Sequence, residues 1–388
     1  MRISFLLPGY IWAPTGGIRV VYEHANRLVA SGHDVTVIHP RRLMHLSPRP
    51  GGQSAYYWIR RHARRGLELF HKPSLDWQKV DPRVKSLYVP TSDPSNIPDG
   101  DAIFATSWQT VRTVLECPES KGEKFYLIQH YETTMGPKHL VDETWRSSLH
   151  KVAVSNWLIE VGASLGISEI AHITNAIDHD RYRLVRPIEG RRPRVAMTFS
   201  KEAHKGAADG IEALTIARGK CPDLRVVMFG ATNLRPRIPH WIEYHSNPAQ
   251  EFIVSEIYNN STIFLCPSWA EGYALPPAEA AGCGCAVVST DNGGIRDYLE
   301  HGVTGLLSPP RDPRSLAANI CLLLDHEDLR LSLAKSANQA VAGLSWEQSS
   351  AKLEALVASK LRRKGRHDRE TSPCSRLISS DMHIARPA

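Results

Sequence analysis

The sequence predicts an α/β protein built from two βαβ-rich halves, and three observations carry that expectation. First, residues 2–8 read as a buried strand, Gly16-Gly17 opens a helical run over 18–31, and 34–39 (DVTVIH) is a second strand. Strand, glycine-rich turn, helix and strand make a βαβ unit on a parallel sheet. Second, the alternation restarts at 194–199, after a Pro- and Arg-rich stretch over 181–193 that reads as a linker. Third, residues 268–294 pass from a loop through the proline pair Pro276-Pro277 into a short helix. Gly282 and Gly284 can end that helix before the apolar strand that starts at Cys285.

Length and composition set the frame. A chain of 388 residues with 42% hydrophobic content is long enough for two packed domains. Its seven cysteines show no metal spacing, and Cys283-x-Cys285 reads as packing. The odd, scattered count predicts reduced thiols and a cytoplasmic setting. The apolar run after Met1-Arg2 is too short for a signal peptide or a membrane span. The net charge of +7 is localised: residues 41–72 carry seven arginines and Lys72 against Glu68, while the rest of the chain before the tail is net acidic. The basicity therefore belongs to a segment and a tail rather than to the folded body.

The elements follow in order. The basic segment 41–72 interrupts the alternation. Within it, 54–71 can form an amphipathic helix with Tyr56, Tyr57 and Trp58 near Arg60, Arg61, Arg64 and Arg65. Basic charge with interfacial aromatics suits an anionic acceptor or an anionic membrane surface; a solvated face of an inserted element is the plainer reading. Strands are expected at 84–89, 102–105, 124–129 and 151–154, and helices at 108–115, 145–150 and 157–165. His130 and Glu132 follow a strand end, where open α/β sheets place their ligands. Asp178-x-Asp180 lies in a turn and is not read as a metal pair. In the second half, helices are expected at 206–218, 250–259, 313–324, 327–341 and 346–360, and strands at 224–229 and 262–266. The tail 361–388 is polar and aperiodic, which predicts disorder.

Chemistry concentrates at residues 268–294. Glu271 and Glu279 stand eight residues apart across a loop–helix junction. Helix N–H groups attract anions, and carboxylates accept hydrogen bonds from hydroxyls. A ligand with both phosphates and hydroxyls, such as a nucleotide-sugar, fits that combination.

These residues resemble a family. Glu271-Gly-Tyr-Ala-Leu-Pro-Pro-Ala-Glu279 is similar to the E-x7-E segment of family 4 retaining glycosyltransferases. Gly16-Gly17 with 32–35, Asn175-Ala-Ile-Asp178, Lys205-Gly206, Gly293-Gly294-Ile295 and 301–305 also resemble that family's elements, in the same order. The resemblance covers most of the chain. It implies a GT-B fold, with two Rossmann-like domains facing each other across a cleft and the C-terminal helix packing back towards the first. The domains implied are 1–180 for the acceptor and 194–345 for the donor. Glu279 would hold the ribose and Glu271 would lie near the donor sugar. Tyr273, Ala274 and Leu275 would surround sugar and pyrophosphate, with Lys205 at the leaving diphosphate. Gly16 and Gly17 would admit that phosphate, and His130 would contact the sugar. One departure stands out: many members carry an arginine where this chain has Ser200, with Lys201 beside it.

The expected activity is retaining transfer from a nucleotide-diphosphate-sugar to a saccharide or lipid-linked acceptor, in cell-surface polysaccharide or glycoconjugate synthesis. It would need no metal or cofactor. The expected location is cytoplasmic, with a peripheral site at the inner membrane face as the alternative. A nucleotide-sugar epimerase of the same fold is the nearest rival, and the E-x7-E pair speaks against it. An NAD-dependent oxidoreductase would need G-x-G-x-x-G after the first strand and an acid near residue 39; the chain has Gly16-Gly17-Ile18-Arg19 and His39-Pro40. A nucleic-acid binder would need a base-reading module, which the sequence does not show.

Overall fold

The computed structural model describes residues 1–10, 14–44, 75–231 and 237–371. Within them two fully parallel sheets follow each other. The first contains β1 (Arg2–Leu6), β2 (Asp34–Pro40), β3 (Lys85–Val89), β4 (Ala102–Ala105), β5 (Glu123–Ile128), β6 (His150–Ala153) and β7 (Ile170–His172), ordered β3-β2-β1-β4-β5-β6-β7. The second contains β8 (Arg194–Thr198), β9 (Arg225–Gly230), β10 (Ile242–Ser246), β11 (Ile263–Cys266), β12 (Ala286–Thr290) and β13 (Leu306–Ser308), ordered β10-β9-β8-β11-β12-β13. Both are doubly wound, and their strand order reverses between β1 and β4 and between β8 and β11. Ligands of such sheets bind beyond the C-terminal strand ends at the reversal. The loops after β1, β4, β8 and β11 are thereby singled out before any side chain is considered.

Pattern explains the sheets. Phe5, Phe104 and Phe125 are register partners on β1, β4 and β5, and their rings stack at 4.8 and 4.7 Å. Such cross-strand pairs fix register. On β11, Ile263 and Leu265 enter one core cluster and Phe264 and Cys266 the other, as a period of two requires. Helices cover both sheets: α1 (Gly16–Ala30), α2 (Trp108–Glu116), α3 (Lys138–Trp145), α4 (Asn156–Ser164), α5 (Ala207–Lys220), α6 (Leu275–Gly282), α7 (Pro313–Asp325), α8 (Glu327–Ala342) and α9 (Trp346–Thr371).

Several expectations need correction. The helix expected at 145–150 lies one to two turns earlier, as α3. Pro137 stands at its N-cap, Val141 and Trp145 bury its inner face, and His150 already belongs to β6. The strand β10 was not anticipated, because only Ile242 of its five residues is buried. The helical stretch 250–260 contains a π-helical turn at Ile253–Ile257. The tail does not leave the helix at 361, for α9 runs to Thr371. Extending a formed helix costs little, and Arg and Lys are good helix formers. Leu361 packs against the core and Lys364 pairs with Glu123 at 3.2 Å. The basic segment with Arg60, Arg61, Arg64 and Arg65 lies outside the described residues.

Two stretches join the domains. Along 173–193, Arg191 donates to the carbonyls of Ser261 (3.0 Å) and Cys283 (3.1 Å), which lays the Pro- and Arg-rich stretch on the second domain. At 343–345 the chain returns, and α9 packs on α1. Ser350 Oγ lies 2.9 Å from His24 Nδ1, and Arg27 donates to Glu347 at 3.1 Å.

Candidate active site

Lys205 is positioned by the loop after β8. Gly206 there adopts φ +63°, and a Cβ on it would lie 2.0 Å from the Pro267 carbonyl at the exit of β11, so only glycine fits. The Trp269 N–H donates to the His204 carbonyl (2.7 Å), which ties the two switch-point loops together. Across that junction Lys205 Nζ donates to both carboxylate oxygens of Glu271 at 2.9 Å. Burial pushes the Glu271 carboxyl up, but Lys205 and then His130 outweigh it and hold the group below its ordinary pKa. Burial likewise opposes the charge of Lys205, and Glu271 more than restores it. Both stay ionised near neutrality.

His130 follows β5 and completes this corner. Burial lowers its pKa to about 4, so at pH 7 the ring is neutral. Neither ring nitrogen has a hydrogen-bond partner among the described residues. A neutral imidazole with both nitrogens unspent can donate to one hydroxyl and accept from another. Its ring centroid lies 5.7 Å from that of His204 and 6.3 Å from Trp157.

The two domains touch here. A Cβ on Gly272 would lie 1.7 Å from the Gln129 carbonyl oxygen, and one on Gly293 would lie 2.5 Å from the Trp157 indole. Backbone of the second domain therefore rests directly on the strand-end loop that carries His130. Asp297 reinforces the seam by accepting from the Asn156 N–H at the start of α4 (3.1 Å).

Glu279, on α6, is paired across the same seam. It accepts from Arg19 of α1, and the two side chains are only 7% and 14% exposed. Burial opposes the charge on Arg19; Glu279, together with Tyr182, Tyr258 and Glu23, outweighs it and keeps the guanidinium above its ordinary pKa. The loop before α6 is strained. Ala274 takes φ +65°, a left-handed conformation uncommon outside glycine, and Tyr298 holds it there by donating to its carbonyl (2.6 Å).

The remaining expected site residues are distributed as follows. Gly16 and Gly17 form the first turn of α1. A Cβ on Gly16 would lie 3.6 Å from Leu275, and one on Gly17 would lie 3.4 Å from the Gln129 side chain. Tyr273, Ala274 and Leu275 are buried, with the Leu275 side chain turned across the seam to Gly16. Ser200 Oγ accepts from the Glu202 N–H (3.2 Å), and Lys201 is exposed. Glu132 does not face the cleft. It accepts from the Trp108 N–H (2.7 Å) and Ser107 Oγ (2.9 Å), closing the N-terminus of α2, and burial raises its pKa to about 7. Asp178 Oδ1 accepts from the Asp180 N–H (3.1 Å) within its turn, as the turn reading expected. Sequence reasoning missed Arg19, Gln129 and Asp297. For Arg19 a signal existed, since it stands two residues beyond the glycine pair.

Two doubly wound parallel sheets, meeting across a seam lined by paired acids and bases, define a GT-B architecture. Residues 194–326, within the second domain, match the family described as Glycosyl transferases group 1. The chain is 30% identical over 154 residues to N,N'-diacetylbacillosaminyl-diphospho-undecaprenol alpha-1,3-N-acetylgalactosaminyltransferase of Campylobacter jejuni, covering 38% of this chain. It is 31% identical over 116 residues, 30% of this chain, to D-inositol 3-phosphate glycosyltransferase of Thermobispora bispora. The matches span 40% and 27% of the lengths of these relatives. Among solved structures, sucrose-phosphate synthase of Thermosynechococcus elongatus superposes with a TM-score of 0.69 at 14% identity, covering 93% of this chain and 99% of that one. Anabaena HepE in complex with UDP-glucose superposes with a TM-score of 0.67 at 17% identity, covering 92% and 100%. At such identities the likeness speaks for the fold.

Proposed function

We propose that the chain is a retaining glycosyltransferase that moves a sugar from a nucleotide-diphosphate-sugar to a saccharide or lipid-linked acceptor. The observation that carries this reading is the corner formed by Lys205, Glu271 and the unpartnered His130 at the meeting of the two switch points. In this reading the diphosphate lies at the N-terminus of α6, where backbone N–H groups and Lys205 offset the charge that grows as the glycosidic bond breaks. The step uses the chain's own cations. Glu271 and neutral His130 hold hydroxyls of the sugar, and Glu279 holds the ribose. The acceptor attacks from the face the leaving group departs, so configuration is retained without a protein nucleophile. Domain closure at the glycine seam excludes water from the step.

Support for the donor class comes from relatives with sugar-transfer names and from the UDP-glucose complex of HepE. The test is a screen of UDP-, GDP-, ADP- and dTDP-sugars by ligand-observed NMR and slow donor hydrolysis. One nucleotide series should show saturation transfer and release its sugar with the starting anomeric configuration. Release of an epimerised nucleotide-sugar would favour the rival activity, and no binding by any series would overturn the reading.

No described helix is long and apolar enough to cross a membrane. Contact with an anionic membrane face is proposed for the arginines at 60, 61, 64 and 65, on the basis of their charge and neighbouring aromatics. Replacing all four by glutamine should abolish co-sedimentation with phosphatidylglycerol vesicles. If the unaltered chain does not sediment, the contact is absent.

A further inference from the structure

The mechanism above leaves Arg19 unused, although its guanidinium sits nearly buried in the seam. We propose that Arg19 is a donor-binding residue supplied by the first domain. In this inference it leaves Glu279 when the nucleotide enters, pairs with the diphosphate, and frees Glu279 for the ribose hydroxyls. The inference rests on the donor reading of the cleft.

Two contacts define the geometry. At Gly16, the first residue of α1, a Cβ would lie 3.6 Å from Cδ1 of Leu275, the first residue of α6. Three residues along α1, Arg19 reaches Glu279, four residues along α6. The first turns of the two helices thus meet across the seam. Their N-termini converge from opposite domains. Each end carries N–H groups without intrahelical partners, on α6 those of Leu275 and Ala278 because Pro276 and Pro277 have none, and the positive pole of a helix dipole. An anion placed there meets both. Arg19 stands three residues, about 4.5 Å along the axis, from that point, a distance its long side chain spans by changing rotamer. His130, with both nitrogens buried and unpartnered, independently marks this seam as a place where a ligand is expected.

Charge accounting points the same way. On the second domain, the loop after β8 offers Lys205, already shared with Glu271, the hydroxyl of Ser200, engaged with the Glu202 N–H, and Lys201, which is exposed. A diphosphate there meets one partly buried cation from its own domain, Lys205, and otherwise only the solvent-exposed Lys201. Arg19 brings a second, with a planar fork suited to two phosphate oxygens. The exchange also removes a cost. A buried ion pair gives up hydration on both partners. In the exchange Arg19 gains a more highly charged partner, and Glu279 gains hydroxyl donors in place of Arg19.

The experiment compares nucleoside diphosphates with their nucleosides by calorimetry: UDP with uridine, GDP with guanosine, ADP with adenosine. The unaltered chain should bind one diphosphate more tightly than its nucleoside. Arg19→Ala should weaken that diphosphate about tenfold or more, while leaving the nucleoside unchanged or tighter, because Glu279 is released. Arg19→Lys should fall between. Equal weakening of both ligands, or no weakening of the diphosphate, would overturn the role of Arg19 and leave the donor cleft standing. If Arg19→Ala does not fold, the Arg19→Lys ratio decides in the same way. Failure of the unaltered chain to bind any of the diphosphates would remove the donor cleft itself, and this inference with it.

Discussion

Glu271 and Glu279 lie one short loop and one helical turn apart, yet they take their cations from opposite sides of the molecule. Glu271 is paired with Lys205 of its own domain, through two loops locked together by Gly206 and the Trp269–His204 backbone bond. Glu279 is paired with Arg19, which the other domain supplies. The first pair is therefore a property of one rigid domain and persists when the cleft opens. The second exists only while the domains are together. One pair is internal to a domain, and the other bridges the seam.

That difference can be broken from either side. Lys205→Ala removes the resident cation and should lower kcat on the order of 10² to 10³-fold, with a smaller change in KM; steady-state kinetics with the donor found in the screen checks this. Gly272→Ala leaves both ion pairs chemically intact but puts a Cβ 1.7 Å from the Gln129 carbonyl, so the seam cannot close. Activity should fall on the order of 100-fold, and small-angle scattering should show an enlarged radius of gyration. Glu279→Ala removes the carboxylate that bridges the seam. Donor affinity should weaken about 10- to 100-fold, and unchanged affinity in calorimetry would take Glu279 out of the site.

A pH series separates both ion pairs from the histidines around them. Burial lowers the pKa of His130 and His39 to about 4 and of His24 to about 3. The unfolded chain then binds more protons than the folded one below the ordinary histidine pKa. Stability should be full above about pH 6.5 and fall by up to about 1.4 kcal/mol per pH unit for each such group as pH drops towards 4. Glu132 acts with the opposite sign, since its raised pKa favours the folded state as pH falls through about 7. Urea midpoints across this range should slope less steeply in His130→Gln than in the unaltered chain. The smallest effect is expected at Ala274. Glycine there relieves the left-handed strain, and Ala274→Gly should raise thermal stability by about 1 kcal/mol.

Much of this was legible in the chain. The alternation of apolar runs and glycine turns located β1, α1 and β2 within a residue or two, and the two glutamates marked the right loop–helix junction. What stayed hidden has a common physical origin. Arg19 and Glu279 are 260 positions apart, and no local period records such a pairing. Glu132 follows a strand end and looked exposed to ligand, but the free N–H groups of α2 compete for its carboxylate. The strand β10 lacks alternation because one edge residue supplies its burial. The last turns of α9 carry no apolar pattern; they persist because the helix was already nucleated upstream.

The two chain crossings between the domains have a mechanical meaning. They lie side by side and are bonded to each other: His179 Nε2 donates to the Leu344 carbonyl at 2.7 Å, and Ser349 Oγ donates to the Thr174 carbonyl at 2.6 Å. A single tether would let one domain swivel freely about the other. Two tethers stitched together leave essentially one freedom, rotation about the line they define. Each opening then retraces a single arc, and Arg19 returns to Glu279 by geometry rather than by search.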